Sequence, residues 1–270
     1  MQCLITALKA ESEPLIQHLG LQRDRSFPFP FFRNDDICLI ATGVGKKNIN
    51  NRISFIVDIF NKKDMSFINI GIAGGNRSYS KIGDIFLINK IIDQETRRVF
   101  YPDIIIKNDL NEASITTVPN VVADGNMKFD SLVDMESSEI FRVCSKYVSL
   151  HKIIILKIVS DHMDLKADQL NYKEIFRMIK KKVQVVDYIL DCCIMIEKIN
   201  QSILSDSDFN WIKKTNMILT DSQKNELKKK VIYYRIRNPK HPLPDIVIPH
   251  KISKKEGKTI LKNIYEILTS

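Results

Sequence analysis

Three carboxylates stand where a carboxylate can do chemistry. Glu11 follows the strand-like run Gln2 to Ala7, at the carboxyl edge where open α/β sheets bind ligands. Asp161 closes the mostly apolar strand His151 to Val159 and follows Ser160; an aspartate at the end of a buried strand is costly unless it has a partner or a task. Glu136 ends Val133-Asp134-Met135-Glu136, just ahead of a helix. Being acceptor-only, a carboxylate there can hold two hydroxyls at once. Each also has a plain structural reading. Glu11 and Glu136 suit helix N-termini through the dipole, and Asp161 suits a helix N-cap.

The glycines mark where a ligand could approach backbone. Six of the nine (Gly43, Gly45, Gly71, Gly74, Gly75 and Gly83) lie between positions 43 and 83, and none lies between 126 and 256. Phe67 to Ile70 is a short apolar run that meets Gly71 and then Gly74-Gly75, a buried strand entering a loop without side-chain bulk. A strand at Asp36 to Ala41 leads through Thr42-Gly43-Val44-Gly45-Lys46 into a helix at Asn48 to Phe60. That helix start offers free N–H groups, and the phosphate-loop spacing GxxxxGK[ST] is absent.

The elements that position these residues alternate. Glu11 to Leu19 is expected as a helix with Pro14 in its first turn, where the missing N–H costs little. The aromatic run Phe27 to Phe32 reads as structural. Ile85 to Ile91 and Ser114 to Val118 read as strands, with a hairpin-like excursion formed by Thr96 to Tyr101 and Asp103 to Lys107. Pro119 to Asp130 is irregular, Ser137 to Tyr147 a helix, and Asp168 to Ile199 one long helix.

Five segments in order, ALKAESEPL (7–15), ATGVGK (41–46), KIGDI (81–85), VDMES (133–137) and KIVSDHMD (157–164), with the central FINIGIAGG, resemble the nucleoside phosphorylase and nucleosidase superfamily. The likeness is strongest to the methylthioadenosine/S-adenosylhomocysteine nucleosidases and covers about residues 1–200. It implies an α/β fold, a three-layer sandwich whose mixed, largely parallel sheet is flanked by helices. It implies cleavage of a purine nucleoside's N-ribosidic bond, with Glu11 activating water and Asp161 protonating the purine. Val44, Ile72, Gly74, Val121, Met135, Glu136 and Ser160 would contact substrate, Glu136 bridging the ribose hydroxyls. Three departures stand out: Val121 falls where the family has a base-stacking aromatic, Ile72 replaces a small polar residue, and Lys157 replaces an arginine.

The transition state of such a cleavage is expected to resemble an oxocarbenium ion. Glu136 would steady its charge, and Asp161 would have to carry a proton when substrate is bound. Water or phosphate could attack. Phosphate capture needs convergent cations, and phosphorylases place an arginine where this chain has Asn69, which favours hydrolysis. Lys46, Arg33 and Arg52 are the cations that a phosphorylase would have to use instead. No cofactor is expected. The histidines and cysteines show no ligand spacing for a metal, and the five cysteines, without CxxC, read as reduced core residues.

At 270 residues and 44% apolar content the chain has enough material for a large core. No apolar run approaches the ~20 residues of a membrane helix, and the expected location is cytoplasmic. The net charge of +9 is not spread evenly. Residues 211–270 hold 14 Lys/Arg and 5 Asp/Glu, which is the whole excess. Residues 201–270 therefore read as a basic, mainly helical extension with capping boxes at Thr220/Gln223 and Ser253/Glu256 around a proline-rich strap. A second reading follows from it: a divergent nucleoside-binding domain whose basic tail, with Tyr233, Tyr234, Arg235 and Arg237 interleaved, engages nucleic acid. The resemblance also points to a homodimer or larger assembly.

Overall fold

The computed structural model describes residues 1–60, 65–106, 109–123, 125, 129–164, 171–215, 219–239, 241–245 and 254–269. The chain divides into two compact units, Met1–Cys192 and Cys193–Ser270.

In the first unit β1 (Gln2–Thr6) leads into α1 (Lys9–His18), then β2 (Gln22–Arg23), β3 (Phe31–Arg33), β4 (Ile37–Ala41) and α2 (Ile49–Ile59). The chain continues through β5 (Ser66–Gly74), β6 (Ile85–Asp93), β7 (Val99–Phe100), β8 (Asn111–Thr117), β9 (Leu132–Asp134), α3 (Ser137–Cys144), β10 (Ile153–Asp161), α4 (Tyr172–Lys180) and α5 (Val183–Ile203), whose residues from Cys193 onward belong to the second unit. The fold is mixed α/β, and its long pairings are parallel: β1 to β4 and β5, β5 to β10, and β6 to β8. Strand β10 lies against β5 on one side and runs antiparallel to β6 on the other. The run β5–β9–β8–β6–β10 therefore closes into a ring, while β1, β4, β3 and β2 extend from β5 as an open wing.

Composition explains the arrangement. Strands β5 and β10 are buried along almost their whole length, as parallel strands covered on both faces must be. Cys3, Ile5, Cys38, Ile40, Phe67, Ile153 and Ile155 share one core with Ile49, Ile53 and Ile56 of α2 and with Ile140, Phe141 and Val143 of α3. The aromatic run packs as expected of a structural element: Phe27 stacks on Phe31 with ring centroids 3.8 Å apart, and Phe55 meets Phe27 and Phe29 edge-on.

Several boundaries differ from the sequence-based expectation. Helix α1 starts at Lys9 and not at Glu11, so Pro14 falls beyond the first turn. The turn forms early because the Glu11 carboxylate reaches back to the Ala7 and Leu8 N–H groups. The excursion after β6 pairs β7 with Ile91 and Ile92 of β6 itself, and residues 103–106 form no strand. Of the helix expected from 168 to 199, residues 168–170 lie outside the described residues, and the rest holds two helices broken at Lys181-Lys182. Lys181 caps the first, and three consecutive lysines keep that junction in water.

The second unit contains α6 (Asp206–Lys214), α7 (Asp221–Arg237) and α8 (Lys254–Thr269). Its core is Leu204, Ile212, Leu227, Val231, Leu243, Ile264 and Leu268. The Thr220/Gln223 capping box is formed, as is one at Ser205/Asp208; Ser253 lies outside the described residues. Buried Asp208 accepts from Arg235 Nε, and Trp211 donates to the Pro244 carbonyl at 2.8 Å. Among the described residues no helix is long and apolar enough to cross a membrane.

Candidate active site

A cavity of about 390 Å³ opens at the carboxyl ends of β1, β5 and β10. Glu11, Val44, Ile72, Gly74, Val121, Met135, Glu136, Ser160 and Asp161 all line it. They come from six separate segments, so tertiary structure brings together what sequence keeps more than a hundred residues apart.

Glu11 is buried in the first turn of α1. Its Oε2 accepts from the Ala7 and Leu8 N–H groups at 2.8 and 2.9 Å, and its Oε1 from the Ile72 N–H at 2.9 Å. Burial raises its pKa against the pull of these donors and of Lys157, so the carboxylate is held in place yet is a better proton acceptor than a surface glutamate. Gly71 makes the fit possible, since a Cβ there would lie 2.9 Å from Glu11 Oε1 and 3.4 Å from Lys157 Nζ.

Beneath the cavity one cation serves three carboxylates. Lys157, 2% exposed in the middle of β10, pairs with Asp134 at 2.9 Å. Burial by itself would discharge this ammonium, but Asp134, Glu136 and Glu11 together hold its pKa above the usual lysine value. Asp134 also accepts from Thr117 Oγ1 at 2.8 Å and from the Ser137 N–H and Oγ at 2.9 and 2.6 Å. Burial opposes its charge, but Lys157 and these donors keep its pKa below the ordinary carboxylate range. Glu136 is left with less support. It takes one N–H, from Gly45 at 2.6 Å, and burial followed by repulsion from Asp134 pushes its pKa up to about 7.

The glycine-rich turn after β4 is built to deliver that Gly45 N–H. Gly43 and Gly45 have φ of 79° and 80°, a left-handed backbone that glycine adopts without strain. Lys46 anchors the turn on Asp93 at 2.7 Å and Glu95 at 2.8 Å, and Asp93 accepts from Ser138 Oγ at the start of α3. Turn and helix are thus fixed to each other through buried Asp93. Its pKa lies well below normal, because Lys46, Ser138 and Thr96 outweigh its burial.

At the other end of the cavity the β5–β10 register shifts between Val159 and Asp161, leaving Ser160 as the extra residue. Such bulges re-aim side chains. Asp161 Oδ2 accepts from Ser160 Oγ at 2.6 Å and Oδ1 from the Met163 N–H at 2.7 Å. Gly75 gives the loop its clearance, since a Cβ there would meet Ser80 Oγ at 2.3 Å and Val159 at 2.8 Å.

Three lining or underlying groups were not assigned a task from sequence: Asp134, Lys157 and Met163. A lysine inside the apolar run Ile153–Val159 was the available signal for Lys157, since such a residue must find buried partners. Nothing comparable marked Met163. Val121 does line the cavity but is 44% exposed, and the only aromatic among the described lining residues is Tyr172.

No protein-family model matches the chain. Among curated proteins, the 5′-methylthioadenosine/S-adenosylhomocysteine nucleosidase of Buchnera aphidicola is 27% identical over 177 residues, covering 53% of this chain and 74% of that protein. Among solved structures, the Campylobacter jejuni nucleosidase of the same name superposes with a TM-score of 0.56 at 18% identity, over 71% of this chain and 97% of its own. The Streptococcal counterpart from S. pneumoniae, solved with a transition-state inhibitor, gives 0.59 at 19% identity over 71% and 99%. A futalosine hydrolase mutant from Helicobacter pylori gives 0.59 at 14% identity over 70% and 98%. The chain has the fold of these solved nucleosidases and of the futalosine hydrolase. Within that fold, the chain is similar to the methylthioadenosine/S-adenosylhomocysteine nucleosidases.

Proposed function

We propose that the protein is a purine nucleosidase, hydrolysing the N-ribosidic bond of a nucleoside such as methylthioadenosine or S-adenosylhomocysteine. The observation that carries this is the convergence of Glu11, Glu136 and Asp161 on one cavity. In this reading Asp161 protonates the leaving purine, Glu11 takes a proton from the attacking water, and Glu136 holds the ribose diol and stabilises the positive charge that grows on the ring. The mixed α/β fold shared with solved nucleosidases and the 27% identity to a curated nucleosidase support the same assignment.

Water is favoured over phosphate by what the cations do. Asn69 is buried and donates to the Ile5 carbonyl at 2.9 Å. Lys46 is paired with Asp93 and Glu95, Arg33 with Asp24, and Arg52 donates to the Ala41 carbonyl beneath the Phe29 ring. None of the three lines the cavity, where the one described lining cation is the exposed Lys9. A phosphate dianion would find no convergent clamp there.

The test is release of purine base from adenosine, inosine, methylthioadenosine and S-adenosylhomocysteine, each with and without phosphate. Phosphate-independent release is expected. Release that requires phosphate would make the protein a phosphorylase, and no release from any of the four would remove the nucleosidase reading.

A further inference from the structure

We propose that Met163 is the surface on which the purine base rests, taking the place of the aromatic that position 121 lacks. The proposal rests on the purine reading above and specifies how that site grips its base.

Met163 has φ of 60°, a left-handed conformation that is uncommon for a residue with a Cβ and that glycine or asparagine would adopt with less strain. Strain of this kind persists only where the surroundings enforce it. Here they enforce it from both sides: the Met163 N–H donates to Asp161 Oδ1 at 2.7 Å, and its carbonyl accepts from the Gly125 N–H at 2.8 Å. The side chain is 3% exposed and lines the cavity with Val118, Val122 and Val133.

Its position relative to the proposed acid follows from Gly74. A Cβ at Gly74 would lie 2.9 Å from Met163 Cγ and 3.3 Å from Asp161 Oδ1. The Asp161 carboxylate and the Met163 side chain therefore both lie over the same bare backbone, and a ring nitrogen that takes a proton from Asp161 brings its ring against Met163. A polarizable thioether suits an aromatic face. The alternatives are less well placed: Val121 is 44% exposed, and Tyr172 is 41% exposed with its ring stacked on Phe176 at 6.4 Å.

The experiment is equilibrium binding of free adenine, together with methylthioadenosine kinetics, for the full chain and its Met163→Gly, Met163→Asn and Tyr172→Leu variants. Glycine and asparagine both suit the left-handed backbone and leave the Asp161 hydrogen bond intact, which offsets part of the cost of emptying the apolar cluster with Val118 and Val133, so the melting temperature should fall while the fold is kept. Adenine binding and KM should each worsen about fivefold or more, with kcat changed by less than about threefold. Tyr172→Leu should have the smaller effect. If the glycine variant does not fold, the asparagine variant decides. Wild-type affinity for adenine in either folded variant overturns the proposal, as does a larger loss from Tyr172→Leu. A wild-type chain that neither binds adenine nor cleaves a purine nucleoside would instead remove the purine reading itself.

Discussion

The two ends of the cavity are held by different physics. At the Glu136 end, Glu11, Asp134 and Glu136 surround one buried ammonium, and position is set by charge and by hydrogen bonds from five backbone N–H groups. At the Asp161 end, the aspartate is set by a strand bulge, a hydroxyl and a left-handed residue, with apolar Val118, Val133 and Met163 packed together. A charge network tolerates little removal, because each member compensates another in a low dielectric. A packed end tolerates changes of chemistry provided that the shape is kept.

That contrast can be broken in four ways. The largest effect is expected on turnover: Asp161→Asn keeps the shape of that end but removes the proposed acid, and kcat should fall by about 10²–10⁴-fold with a melting temperature close to wild type. Near-normal turnover would remove Asp161 as the acid. Next, Lys157→Met leaves three carboxylates without their cation and should cost about 3–5 kcal/mol in denaturant unfolding. A loss below ~1 kcal/mol would show that the Glu136 end does not depend on that ammonium.

Gly71→Ala should cost about 1–3 kcal/mol and depress activity as well, since the new methyl displaces Glu11 or Lys157, both at the same Hα. Calorimetry combined with base-release assays would show the two losses together; stability loss alone would mean that Glu11 keeps its place. The smallest expected effect is a pH slope. The Glu136 pKa is raised in the folded chain to about 7, so its neutral form contributes stability that is full below the unfolded pKa and is lost as pH rises through about 7. Glu136→Gln should therefore flatten the decline in melting temperature between about pH 4.5 and 7.5. Asp134 acts oppositely, since its lowered pKa contributes stability above the normal carboxylate range that disappears on acidification.

Much of the site could be read in advance because the signals were local. Gly43 and Gly45 stand before a helix, Gly71 and Gly74-Gly75 follow an apolar run, and Glu11 and Asp161 end strands; each is a statement about a few neighbouring residues. Boundaries were harder. Pro14 drew the start of α1 toward itself on propensity, while the Glu11 carboxylate had already closed the turn from Leu8. The single helix expected from 168 to 199 ignored a break that depends on where Lys180 to Lys182 meet water.

Sequence by itself therefore determined the main strands and helices, that one end of the strands is glycine-lined, and that carboxylates stand at that end. Only the tertiary structure decided which charges neutralise one another. Lys157 reads as an interruption in an apolar run until β10 lies beside β5 and beneath Asp134, 23 residues earlier in the chain. Met163 reads as an ordinary apolar residue until its left-handed backbone and the bare Gly74 are in view. Periodicity and propensity record what a residue does to its own stretch of chain. Coulomb energy and packing depend on distances through space, and those exist only once the ring of strands has closed.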